Sequence, residues 1–91
     1  MSPRDRITRA VADIAERPRA VTFEEILRIA NQIARLGEML VDHRETRHGY
    51  QFTIGTRIFS VCRHNPGSKH LKKDYVTEFL DAMIDLGFYE E

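Results

Sequence analysis

From Ile7 to Gly37 the apolar positions recur at helical spacing. In SPRDRITRAVADIAERP, Ile7, Ala10, Val11, Ile14 and Ala15 fall every three or four positions and so share one helical face. Ser2 stands where an N-cap accepts an orphan amide, and Pro3 suits the first helical position because its φ is already helical. Pro18 stops the element. A second helix follows in TFEEILRIANQIARLG, with Ile26, Ile29, Ala30, Ile33 and Ala34 as its stripe. Thr22 and Glu25 have the spacing of a capping box, and Gly37 supplies a C-terminal cap.

Beyond Gly37 the period shortens. EMLVDHRE, YQFTI and RIFSVCR read as three strands, and Tyr50, Phe52 and Ile54 alternate against Gln51 and Thr53. Between the last two strands, Gly55-Thr56 predicts a type II′ hairpin, since that turn needs a positive φ at its first central residue. HNPGSK is a turn-rich loop. Tyr75, Val76, Phe79, Leu80, Met83 and Ile84 then mark a final helix that ends near Gly87. A three-stranded antiparallel sheet must cover one face, and two helices packed there give an α+β domain of the double-stranded-RNA-binding type, in the order α-β-β-β-α. The chain is expected to form a single domain over 1–91, with residues 1–20 as an N-terminal helical extension that caps a core of 21–88.

The composition agrees with one small core: 91 residues, 42% apolar, including three Tyr and five Phe. No apolar run approaches the ~20 residues that span a bilayer, and the N-terminus lacks the apolar region of a secretory signal, so a cytoplasmic, membrane-free protein is expected. A single cysteine, Cys62, excludes an internal disulfide and reads as a structural thiol in a strand. Formal net charge is zero, but the distribution is polarised. Residues 57–73 hold Arg57, Arg63, Lys69, Lys72 and Lys73 without an acid, while 74–91 hold Asp74, Glu78, Asp81, Asp85, Glu90 and Glu91 without a base. Such asymmetry points to a charged partner. Lysines at a helix start oppose the dipole, so Lys69, Lys72 and Lys73 are better suited to holding phosphate beside the unpaired amides than to stabilising the helix. The acids near the C-terminus are equally unfavourable. Arg4, Arg6 and Arg9 of the first helix are candidate compensators, beside a basic partner or plain solvation.

FEEILRIANQIARLG, the strand pair around RIFSVCRH, and GSKHLKKDYVTEFLDAMIDLG together resemble the HicA family of bacterial toxin-antitoxin systems. The resemblance covers roughly Val21 to Gly87 and is best at Val61, His64, Lys69, Leu71, Lys72 and Val76. It implies a double-stranded-RNA-binding-like fold, messenger RNA as substrate, metal-independent cleavage without a cofactor, and a HicB-like antitoxin protein as partner; a homo-oligomer is left open. RNA-holding residues would be Arg63, His64, Lys69, Lys72 and Lys73. The chain departs from the family at one place. A Gly-Ser-His usually opens the second strand there, whereas this chain reads His48-Gly49-Tyr50-Gln51, with Gln51 in the histidine position. A glutamine amide does not titrate near neutral pH and cannot act as general acid or base.

His48, beside Gly49, is the first candidate to move a proton to or from a ribose 2′-hydroxyl or leaving oxygen in its stead; His64 and His70 are further ones. The spacing of His43, His48, His64 and His70 matches no helical metal-ligand pattern, so no metal is expected. The sequence leaves two other readings open. One is a non-catalytic module of the same fold that contacts RNA or a partner protein; the other is an assembly component without RNA contact.

Overall fold

The computed structural model describes residues 2–47, 49–61 and 70–90. Among these residues, three helices and three strands follow in the order α1 (Pro3–Glu16), α2 (Phe23–Leu36), β1 (Val41–Thr46), β2 (Gly49–Ile54), β3 (Arg57–Val61) and α3 (Lys73–Leu86). The fold is α+β with one antiparallel sheet in the order β1-β2-β3.

The local signals act as the sequence suggests. The Ser2 hydroxyl accepts the Asp5 amide at 3.2 Å with Pro3 in the first turn, and α1 stops at Glu16, short of Pro18. At α2 the Thr22 hydroxyl accepts the Glu25 amide and the Glu25 carboxylate accepts the Thr22 amide, closing the capping box. Gly37 and Gly87, at φ of 71° and 84°, end α2 and α3 in the left-handed conformation. Ile54 pairs with Arg57 across a two-residue loop in which Gly55 alone has positive φ, 60°. That is the pattern of type II′ rather than I′. The first strand begins later than the apolar pattern suggested, at Val41 rather than Glu38, because the chain must first leave the left-handed Gly37 cap. It runs one residue further, to Thr46.

One cluster of buried residues unites all three helices with the sheet. β2 and β3 contribute Phe52, Ile54, Phe59 and Val61, and α3 contributes Val76, Phe79, Ala82 and Met83. The Phe59 and Phe79 rings meet edge to face at 5.7 Å, tying α3 to β3. From α1, Ile7, Val11 and Ile14 enter the same cluster at no more than 1% exposure, so this helix shares the core with the elements that follow it. Burial of one such side chain stabilises by roughly 1.5–3 kcal/mol.

Ion pairs close the periphery, and their partners differ from those the sequence suggested. Asp85 pairs with Arg57 at 2.8 Å, not with an arginine of α1. Arg4 pairs with Glu38 at 2.9 Å, places its guanidinium 4.7 Å from the centre of the Phe88 ring, and reaches the Gly87 carbonyl at 3.5 Å. It therefore meets the end of α3 through a ring and a carbonyl rather than through a carboxylate. Arg6 and Arg9 make none of the ion pairs among the described residues.

Candidate nucleic-acid interface

The strand register and the direction of α3 bring several ends together. Arg57 at the start of β3 pairs with Asp85 near the end of α3, so α3 runs antiparallel to β3 and begins near Val61. Val61 lies opposite Tyr50, and Tyr50 opposite Glu45. The Phe23 ring at the start of α2 sits 4.7 Å from the Tyr50 ring. His70 bridges Thr22, and the Leu71 amide donates to the Val21 carbonyl at 2.7 Å. The starts of α2 and α3, the end of β1 and the start of β2 thus lie at one end of the sheet.

Leu71, 5% exposed, anchors the chain before α3. Lys72 follows as the N-cap in extended conformation, with no side-chain cap, and Lys73 is the first helical residue. Both are exposed, and neither joins an ion pair among the described residues. Asp74 is the one acid in that first turn. Positive charge here opposes the helix dipole at a cost of about 0.3–1 kcal/mol per residue. The same placement adds to the field that the unpaired amides direct outward, which favours an anion.

Gln51 has a different outlook. Phe52, Ile54, Phe59 and Val61 face the helices, so by alternation Gln51, Thr53, Ile58 and Ser60 face away from them. Arg44 and Ser60 flank Gln51 in register. The Arg44 Nε donates to the Gln51 Oε1 at 3.0 Å, fixing the amide with its carbonyl as acceptor. A shallow groove of about 300 Å³ covers this region, lined by Asp42, His43, Arg44, Gln51, Thr53 and Ile58. The lysines and Gln51 therefore share an end of the sheet, but Gln51 lies on the open face and the lysines start a helix on the covered one.

Of the residues singled out in the sequence, Lys72 and Lys73 are brought together at the start of α3. His70 is half-buried beside the N-cap of α2, with its main chain bridged to Thr22. His48, Arg63, His64 and Lys69, together with Cys62, lie outside the described residues. Arg57 is engaged by Asp85. Sequence reasoning passed over Arg44, because its place beside Gln51 depends on the β1–β2 register. Alternation in VDHRET could have assigned its face, but not its partner. Among the described residues, no three or more His, Cys, Asp or Glu side chains gather as a metal site, and no helix is long and apolar enough to cross a membrane.

Compared with protein-family models, curated proteins and solved structures, the chain matches none of them.

Proposed function

We propose that this protein is a HicA-like, RNA-directed member of a toxin-antitoxin type system, with a double-stranded-RNA-binding-like fold and a HicB-like protein as its antitoxin. The observation that carries the reading is the pair of exposed lysines at the start of α3, Lys72 and Lys73, which join no ion pair among the described residues and which weaken the helix while strengthening an anion site. RNA duplexes are recognised largely through phosphates, 2′-hydroxyls and shape, and two cations at a helix start suit a phosphate backbone. Arg63, His64 and Lys69 would extend that contact. In this reading His48 is the group that would transfer a proton during cleavage, and the cleavage would use no metal.

A second reading, a binding module of the same fold that holds RNA without cutting it, is favoured by Gln51. Its amide takes the place of the family's histidine and is already engaged by Arg44 at 3.0 Å. Neither group of that pair serves as a general base near neutral pH.

Incubation of the full chain with labelled duplex and single-stranded RNA, beside a Lys72→Ala/Lys73→Ala variant, tests both readings. Fragments that disappear in the double variant support an endoribonuclease that uses the start of α3 to hold its substrate. Salt-sensitive binding without fragments supports the binding module. Absence of salt-sensitive binding would remove RNA from both. Growth arrest on expression, abolished by His48→Ala, would assign the proton transfer to His48.

A further inference from the structure

β1 is an edge strand of the three-stranded sheet, and no described strand lies against its outer side. The Gly55 amide donates to the Leu40 carbonyl at 2.8 Å, which makes Leu40 and Gly55 a hydrogen-bonded pair in the β1–β2 register. Hydrogen-bonded and non-hydrogen-bonded pairs alternate along an antiparallel ladder. The main-chain groups of Asp42, Arg44 and Thr46 consequently point to β2, and those of Val41, His43 and Glu45 point to the outer edge. The His43 amide agrees: it donates to Asp42 Oδ1 at 2.9 Å and to no described strand.

We propose that this edge pairs antiparallel with a second copy of the chain, centred on His43, so that two three-stranded sheets join into one. A second copy must match the outward main-chain groups, so odd-numbered residues oppose odd-numbered ones. Charge then separates the registers that remain. A ladder centred on Asp42 opposes two aspartates, one centred on Arg44 opposes two arginines, and one centred on Glu45 opposes two glutamates. Centring on Val41 leaves the far half of the strand unpaired. The register centred on His43 sets Asp42 against the second copy's Arg44, and Arg44 against the second copy's Asp42.

Both ion pairs would form on the open sheet face at non-hydrogen-bonded positions, where facing Cβ atoms are about 4.5–5.5 Å apart. Asp42 would release the His43 amide to the second copy's main chain as it turned toward arginine. Arg44 can keep its Nε bond to Gln51 and offer its terminal nitrogens. Leu40, 73% exposed, falls opposite the second copy's Thr46 on that face and gains cover. Charged residues on an edge ordinarily discourage pairing; here their order about His43 makes them selective instead.

Sedimentation equilibrium of the full chain tests the pairing directly. The wild type should reach a dimer as concentration rises toward roughly millimolar. Asp42→Arg and Arg44→Asp each oppose like charges twice and should weaken the dimer about tenfold or more. An equimolar mixture of these two variants restores both pairs between unlike chains and should dimerise as the wild type does. Both side chains are exposed, so far-UV circular dichroism should report an unchanged fold for each variant. A wild type that stays monomeric to about millimolar would overturn the proposal. So would dimers indifferent to either substitution, or a mixture no better than its components.

Discussion

Arg44 and Gln51 face one another across β1 and β2, and the arginine Nε donates to the glutamine Oε1 at 3.0 Å. The pair occupies the open side of the sheet, where a side chain can meet a large ligand without disturbing the core. A titratable group at Gln51 would stand beside a fixed cation that stabilises developing negative charge, the arrangement needed for phosphodiester cleavage. Gln51→His is therefore expected to add RNA cleavage beyond that of the parent chain, with a pH dependence near that of imidazole. Fragment yield from labelled RNA across about pH 5.5–8 measures it. An unchanged yield would remove this strand position from the chemistry.

Lys72→Ala/Lys73→Ala is expected to weaken RNA binding and to make its salt dependence shallower. If each lysine neutralises one phosphate, the slope of log affinity against log salt falls in magnitude by about 1.4–1.8. Titrations at several salt concentrations read the slope directly. Thermal stability should hold or rise slightly, since both lysines oppose the α3 dipole.

A second test lies in acid. The Arg17 guanidinium bonds the Glu25 carboxylate, with Nη1 to Oε1 at 3.1 Å, and also bonds Asp13 of α1 at 2.7 Å. Arg17 thereby holds the Glu25 carboxyl down to about 2 from an ordinary 4.5. A carboxylate with a lowered folded pKa contributes stability that is fully present above its unfolded value and is lost as pH falls from about 4.5 through about 2. Both side chains are partly exposed, which limits the contribution to about 1 kcal/mol. Glu25→Gln should lower stability by that amount at neutral pH and flatten the loss in acid. Urea unfolding between about pH 2 and 7 checks both.

Gly55→Ala tests the hairpin. At φ of 60° a side chain costs roughly 1–2 kcal/mol, and the added Cβ would lie 3.3 Å from the Leu86 Cδ2. The midpoint of thermal unfolding should fall by about 4–15 °C for a domain of this size.

Ile14→Ala tests whether α1 is structural. Ile14 is 1% exposed within the core that the sheet shares, so the truncation should cost about 2–5 kcal/mol. A change below about 0.5 kcal/mol, the range of ordinary surface substitutions, would mean that α1 lies apart from the cooperative unit.

The helices and the hairpin were legible in the sequence because their causes are local. Ser2, the Thr22–Glu25 box, Gly37, Gly87 and Gly55 each act through neighbours within a few positions, and their geometry matches the sequence expectation. The interface was legible only in part. Lys72 and Lys73 could be placed at a helix start from RIFSVCRHNPGSKHLKKDYV, but their position near the Val61 end of β3 follows from the antiparallel run of α3 on β3. In the sequence Arg57 is one more cation of that segment; its ion pair with Asp85, far along the chain, depends on the packing of α3 on β3.

What the sequence determined by itself was the set of elements, their caps and their apolar faces, since periodicity and capping depend on spacing alone. Tertiary structure decided the rest: that α1 shares the core, that Arg44 meets Gln51, and that the residues pointing outward from β1 are Val41, His43 and Glu45. Each of these depends on register or packing between segments distant in sequence, where a shift of one residue would turn every side chain to the other face.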